Sequence, residues 1–288
     1  MNAFKAAGAS LIAGLFCFAS VSAVAATDDA NVNANANANA NADANACTNA
    51  ARSLAPDGTL RASINIGNPV LAALDANTHE PVGVSVDLAG ELARRLGARV
   101  QLVTATSAAA SLDNVVSGRA NVGFFAIDPK RGEDIHFTAP YVLIEGAYAV
   151  RDGSPIARST DVDQPGVSIA VSRGSAYDLY LSRALHHATL VRISPSSAVF
   201  DAFQKQHIDV LAGVKPQLAQ EAASGSGLHL LDGRFMVIRQ AMGVRKNEGD
   251  DAANCVAQFA GEMAKSGFVA EALTRHHVDG ASVAQPGD

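Results

Sequence analysis

The sequence has 288 residues, of which 48% are hydrophobic, and this is enough for one large domain or for two lobes with buried cores. Its formal net charge is −6, and the absence of a lysine and arginine cluster excludes the electrostatic footprint of a nucleic-acid-binding protein. The lack of tryptophan and the 5% aromatic content argue against a cleft that stacks on sugars.

The N-terminal region has the features of an export sequence. Lys5 is followed by an apolar stretch and a small-residue end, so residues 1–26 predict a cleavable secretory signal and a periplasmic mature protein. Residues 27–46 are almost wholly asparagine, alanine and aspartate. Such a segment cannot bury enough apolar surface to offset the entropy of ordering, so it predicts a disordered linker.

Cysteine usage gives a further constraint. Removal of the signal leaves Cys47 and Cys255. Two thiols in an oxidising compartment favour one disulfide over two unpaired buried cysteines. The bridge would tie the start of the folded region to a late helix.

Strand and helix patterns alternate through the rest of the chain. The first half predicts strands over Leu60–Ile66, Arg99–Thr104 and Val122–Ile127, and helices over Val84–Leu96 and Ala108–Val116. The second half predicts strands over Val167–Ser172, Leu190–Ile193, Ile208–Gly213 and Leu228–Leu231, and helices over Ser175–Leu185, Ser197–Lys205 and Pro216–Ala223. Further apolar and helical patterns cover Val142–Val150, Phe235–Val244, Ala252–Lys265 and Phe268–His276. The alternation predicts an α/β fold of two lobes, each a mainly parallel sheet flanked by helices, joined by a two-strand hinge.

Arg131 is the first candidate for chemistry. It follows the buried strand Val122–Ile127, just past an Asp-Pro turn. Open α/β sheets place ligands at the carboxyl ends of their strands, and a guanidinium can hold a carboxylate with two parallel hydrogen bonds. The alternative is a surface ion pair with Glu133 or Asp134, contributing at most ~1 kcal/mol. The local sequence alone does not favour either.

A second candidate is the turn Gly174-Ser175-Ala176, which precedes a predicted helix. Ser175 and Asp178 have the spacing of a capping box, and the helix N-terminus offers N–H groups and a positive dipole end to an anion. An ordinary capped helix uses the same residues. The two interpretations are compatible.

Four segments carry a resemblance to a known family. They are Gly83–Gly97 (GVSVDLAGELARRLG), Asp128–Arg131 (DPKR), Phe137–Tyr141 (FTAPY) and Arg173–Leu181 (RGSAYDLYL). In this order, and over most of Arg61–Val278, the chain resembles the periplasmic solute-binding proteins of the amino-acid family, family 3 of the bacterial extracellular solute-binding proteins. The resemblance implies a monomer without a cofactor, whose lobes close over a small anionic or amino-acid-like ligand and deliver it to a membrane ABC permease.

The resemblance also divides the chain. Lobe 1 would comprise residues 47–146 plus 240–280, and lobe 2 residues 147–239, with 281–288 as a tail. The carboxylate-binding arginine of the family falls on Arg131. Its second-lobe turn, which offers backbone amides to the same carboxylate, falls on Gly174, Ser175 and Ala176. Asn68 is a further candidate for the cleft lining, and Gln240 stays open between hinge and cleft.

Departures from the family pattern concern the ligand. Ala126 and Asp128 stand where the family keeps hydroxyl-bearing residues, so one hydrogen bond to the ligand is missing. Lys215 stands where the family places the acid that holds an ammonium group. A site with Arg131 and Lys215 predicts a carboxylate, dicarboxylate or other anion in place of a standard α-amino acid. The alternative is a solvent-facing Lys215, with Glu145 or Asp128 as the missing acid.

The same residues allow two other functions. The resemblance extends to cyclohexadienyl dehydratases, and such an enzyme would draw on Arg131 and Lys215 with Glu145 or Asp128 as the acid. A dehydratase would need a second cationic side chain to hold another anionic group of its substrate, and none is recognisable. We therefore expect a binding protein with no catalytic residue. A ligand-sensing receptor for a membrane partner is a third interpretation. No H-E-x-x-H motif or helical histidine pair is present, so no metal site is expected.

Overall fold

The structure is a computed structural model that describes residues 47–288. The predicted signal, residues 1–26, and the predicted linker, residues 27–46, lie outside the described residues. Within residues 47–288, no helix has the length and apolar character needed to cross a membrane.

Helices and strands alternate as the sequence predicts. Helix α1 covers residues 47–54. It is followed by α2 (Val84–Arg95), α3 (Ala108–Val116), α4 (Ala176–Ala184), α5 (Val199–Lys205), α6 (Lys215–Ala223), α7 (Asp250–Lys265) and α8 (Phe268–Arg275). The strands are β1 (Thr59–Asn65), β2 (Ala73–Leu74), β3 (Pro81–Val82), β4 (Arg99–Ala105), β5 (Val122–Ala126), β6 (Ile135–Phe137), β7 (Val142–Arg151), β8 (Ser168–Ser172), β9 (Thr189–Ile193), β10 (Val210–Val214), β11 (Leu228–Leu230), β12 (Met236–Arg245) and β13 (Ala281–Val283).

Two sets of parallel strands form the two lobes. One set has the order β4-β1-β5 and the other the order β10-β8-β9. Strands β7 and β12 lie between the sets and pair with each other in antiparallel fashion. Because β12 also pairs with β5 and β7 with β10, the two sets join in one 11-stranded sheet. This confirms the predicted two-lobed α/β fold, with β7 and β12 as the connections between the lobes.

Each lobe has its own apolar core. In the first lobe, Leu88 and Leu92 lie one turn apart on α2 and are buried with Phe259 of α7. In the second lobe, Phe203 of α5 and Leu181 of α4 are buried in two different apolar clusters. Each such side chain contributes roughly 1.5–3 kcal/mol through removal of apolar surface from water. The first-lobe cluster also contains Val214 of β10, so the two lobes touch through apolar side chains near the connecting strands.

A disulfide closes the first lobe. Cys47 of α1 is bonded to Cys255 of α7, across a sequence separation of 208 residues. This confirms the predicted pairing. The bridge holds the first described helix against a helix that the chain reaches only near its end.

The C-terminal residues are more ordered than their sequence suggests. Strand β13 lies within the predicted tail and pairs with β7, placing Ser282 opposite Leu143. Strands β2, β3 and β6 were also not predicted, since they have two or three residues each and show no measurable alternation.

Candidate functional site

Arg131 lies at the carboxyl end of the wholly buried strand β5, in the 3₁₀ turn Arg131–Glu133. Its side chain is buried, with 3% exposure. The Nη1 atom donates to the Ala126 carbonyl oxygen at 3.0 Å, and Nη2 donates to the Gly174 carbonyl oxygen at 2.8 Å. The second bond joins the two lobes. The surface ion pair with Glu133 or Asp134 is not formed.

Arg131 carries a buried positive charge. Burial lowers the pKa of the guanidinium to about 10, and the nearby Asp128 carboxylate opposes that effect. The group therefore keeps its charge at neutral pH, while its two hydrogen bonds go to neutral carbonyl oxygens. Arg131 makes no ion pair with Asp128 or any other described carboxylate, and a buried charge that forms no ion pair is costly, so an anion hydrogen-bonded to it would reduce that cost.

A cavity of about 60 Å³ lies beside this guanidinium, between the lobes. Asn68, Phe124 and Arg131 line it from the first lobe, and Ser175, Ala176 and Tyr177 line it from the second. Gln240 of β12 and Gln217 of α6 complete its polar surface, together with Asn65, Ser172 and Ser196. The cavity thus brings together Arg131, Asn68, Ser175 and Ala176 of the predicted site.

Helix α4 points its N-terminus at the cavity. The cap predicted at Ser175 is present, because Ser175 Oγ accepts from the Asp178 amide at 3.0 Å. The Asp178 carboxylate reaches one residue beyond the cap, where its Oδ2 accepts from the Gly174 amide at 2.8 Å. The Gly174 amide is therefore already bonded. The amides of Ala176 and Tyr177 belong to the first turn, where a helix has no internal acceptors for its N–H groups.

Gly174 also marks a close approach of the lobes. Its φ of +70° is in the left-handed region that favours glycine. A Cβ at this position would lie 2.8 Å from the Cβ of Ala109 on α3 of the first lobe. Any larger residue would hold the two lobes apart.

Asp128 is buried beside Arg131 but faces another arginine. Its Oδ2 accepts from Arg183 Nη2 at 2.7 Å, and its Oδ1 accepts from the Lys130 amide at 2.9 Å. Arg183 belongs to α4, so this ion pair is a second bond between the lobes. Asp128 does not line the cavity.

Lys215 and Glu145 lie apart from Arg131. Lys215 Nζ is 2.7 Å from Glu145 Oε2, and Arg234 Nη1 is 2.7 Å from Glu145 Oε1. Hydrogen bonds from Lys215 and from Arg234 hold the pKa of Glu145 below its usual value. This cluster borders a separate surface depression, and neither Lys215 nor Glu145 lines the cavity. The charge of Lys215 is therefore balanced locally.

The comparison with protein families decides the classification. A model described as bacterial extracellular solute-binding proteins, family 3, matches residues 60–278. The chain belongs to this family. The family predicted from the four sequence segments is confirmed.

Solved structures share the fold of this family 3 protein. An L-cysteine solute receptor of Neisseria gonorrhoeae has a TM-score of 0.70 and 22% identity, over 80% of this chain and 94% of its own. A mutant of ArgBP from T. maritima has a TM-score of 0.69 and 22% identity, over 80% and 100%. An ancestral amino acid-binding protein described as a precursor of cyclohexadienyl dehydratase has a TM-score of 0.67 and 21% identity, over 78% and 97%. No curated protein sequence matches the chain.

Several polar groups in the cavity of this family 3 protein were not predicted. Gln217 lines the cavity and follows the carboxyl end of β10, as Arg131 follows the carboxyl end of β5. A search for polar residues after strand ends would therefore find it. Gln240, which the sequence left open, is buried and lines the cavity. Ser172 and Ser196 share a hydrogen bond of 2.7 Å, and no sequence signal marks them. Among residues 47–288, no group of histidine, cysteine and acidic side chains has the arrangement of a metal site.

Proposed function

We propose that this protein is a periplasmic solute-binding protein that closes over a small carboxylate-bearing solute and delivers it to a membrane ABC permease. The observation that carries the proposal is the buried guanidinium of Arg131 beside the cavity, bonded to Ala126 and Gly174 carbonyl oxygens alone. A carboxylate would supply the counter-charge and would accept charge-assisted hydrogen bonds from the guanidinium.

The proposed ligand contacts come from both lobes. Arg131 and Asn68 would hold the solute from the first lobe, and Ser175 and Ala176 from the start of α4. The helix N-terminus favours an anion at the same place, because its free amides and dipole are both positive. Closure around the solute would then be required for a complete set of contacts.

We further propose the arrangement of the chain in the cell. Residues 1–26 would direct export, residues 27–46 would act as a spacer, and the mature protein would be a monomer. Lobe 1 would comprise residues 47–146 plus 240–280, and lobe 2 residues 147–239. The closing movement would take place about β7 and β12, since β12 pairs with β5 of the first lobe, β7 pairs with β10 of the second, and the two strands pair with each other.

Binding is a better proposal than catalysis. Dehydration needs a general acid within reach of the leaving hydroxyl. Among the described residues that line the cavity there is no carboxylic acid, histidine or lysine, which supports a site that holds its ligand unchanged.

Native mass spectrometry of the mature protein, purified without denaturation, tests this function. We expect a retained small carboxylic acid, and we expect the Arg131→Ala variant to lose it. Arg94→Ala is the matched control, because Arg94 is 71% exposed on α2 and pairs with Glu91 far from the cavity. Equal retention by both variants would contradict the proposal, as would chemical conversion of the bound acid by the wild-type protein.

A further inference from the structure

We propose that the solute is a small hydroxy-monocarboxylate and that the site rejects the ammonium group of an amino acid; the inference rests on the function proposed above. It concerns the part of the ligand that Arg131 does not hold. The inference rests on the charges of the cavity lining, on the unpaired Oδ1 of Asn68 and on the small volume of the cavity.

The first step is the charge of the cavity surface. Arg131 is the single charged side chain among the described residues that line it. The remaining polar groups are amides and hydroxyls, such as those of Gln240 and Ser175. An ammonium group would be buried beside a guanidinium with no carboxylate to balance it, and burial of an unpaired charge is strongly unfavourable.

The second step concerns Asp128 and Glu145, the two acids that the sequence offered as partners for an ammonium group. Asp128 is paired with Arg183 and accepts the Lys130 amide. Glu145 is paired with both Lys215 and Arg234. Each acid already has its cation, and neither lines the cavity. The same pairing of Lys215 removes the cation that a second ligand carboxylate would need, so a dicarboxylate is disfavoured too.

The third step is an acceptor that lacks a donor. Asn68 Oδ1 is buried and has no hydrogen-bond partner. Asn68 lines the cavity that Arg131 borders. A buried polar atom without a partner costs free energy, so a ligand that brings a donor to it is favoured. A ligand hydroxyl is a neutral donor and satisfies Asn68 without adding charge.

The fourth step is size. The cavity has a volume of about 60 Å³, which favours a small solute. Lactate is a small hydroxy-monocarboxylate of this kind.

Isothermal titration of the mature protein with three probes of equal carbon number tests the inference. The probes are lactate, propionate and alanine, each as separate enantiomers where these exist. We expect lactate to bind most tightly and alanine to bind at least about tenfold more weakly, because only alanine brings an unbalanced charge. Alanine binding as tightly as lactate would overturn the inference.

A variant gives the converse measurement. Asn68→Asp places a carboxylate where the neutral acceptor stands, with almost no change in shape. We expect the preference for alanine over lactate to rise at least about tenfold relative to the wild type, since the ammonium group then has a counter-charge. An unchanged preference in a folded variant would contradict the proposed role of Asn68.

Failure of the inference differs from failure of the proposed function. If alanine binds best and Arg131→Ala abolishes its binding, the carboxylate site stands and the hydroxy acid is wrong. If none of these acids binds, nor their four-carbon and five-carbon homologues, both proposals are wrong.

Discussion

Arg183 of helix α4 and Asp128 of the turn after β5 form an ion pair between the lobes, with Nη2 and Oδ2 2.7 Å apart. Asp128 is 5% exposed, while the side chain of Arg183 is 51% exposed. The bond from Arg131 to the Gly174 carbonyl oxygen crosses the same cleft. Both contacts cross between the lobes, so separation of the lobes would break them.

Arg183→Ala is expected to weaken closure. The change leaves a buried carboxylate without its cation in the closed form, whereas in the open form water can solvate it. Because Arg183 is half exposed, we expect a loss of about 1 kcal/mol, or roughly fivefold in solute affinity. Calorimetry gives the affinity, and small-angle scattering gives the fraction of open form.

The control is Arg158→Ala, which removes an exposed pair with Asp161 inside the second lobe. It should alter neither affinity nor scattering. Equal effects of the two variants would show that the loss does not depend on the contact between lobes.

Gly174→Ala is expected to lower affinity through a steric clash. The new Cβ would lie 2.8 Å from the Cβ of Ala109 across the cleft, so the lobes could not close fully. Gly153→Ala is a matched control, since Gly153 has φ +79° and nothing within 4 Å of its Cβ position. Both variants pay the conformational cost of about 1 kcal/mol. Only Gly174→Ala should lose solute binding. A steric contact that costs about 1–3 kcal/mol corresponds to a loss of roughly 5- to 150-fold in affinity.

The double variant Cys47→Ala and Cys255→Ala is expected to be less stable. Removal of the cross-link frees a long loop in the unfolded chain, and such losses are about 2–5 kcal/mol. Denaturant unfolding followed by circular dichroism measures the change. Solute affinity should stay within twofold or so, because neither cysteine lines the cavity. A parallel loss of affinity in the folded variant would contradict this separation.

Asp163 is expected to make stability depend on acid pH. Hydrogen bonds from the amides of Ala188, His186 and His187 lower the pKa of this carboxyl to about 2, from 3.8. A lowered folded-state pKa gives stability that is present above pH 4 and is lost as pH falls towards 2. Solvent screens this exposed carboxylate, so Asp163→Asn should cost only about 0.5–1 kcal/mol at pH 7, and less at pH 2. Thermal unfolding at the two pH values measures it, and an equal cost at both would contradict the linkage.

Local pattern was sufficient for most elements of the fold. Helix α3 begins and ends where the sequence predicts, and β5 does so within one residue, because apolar periodicity and glycine stops are local properties. Arg131 was found for the same reason, as it follows a strand end. Its bond to Gly174 was not, since that contact spans 43 residues and depends on closure.

The sequence did not predict which charged side chains would pair with each other. Lys215 was a candidate for the ligand site from its place after β10, with a solvent-facing side chain as the alternative, and its side chain extends to Glu145 on β7. Asp128 was one candidate for the missing acid, and its partner Arg183 lies 55 residues away. Which of two chemically equal partners a charge takes is set by lobe packing, and the sequence holds no local signal for it.

Strand β13 gives the hinge an external reporter position. Ser282 lies opposite Leu143 on β7 and is exposed to solvent. A fluorescent dye on a Ser282→Cys variant would sit beside a connecting strand and away from the cavity. Its emission would follow the opening and closing of the lobes without blocking entry of the solute, which makes the protein a template for an optical sensor.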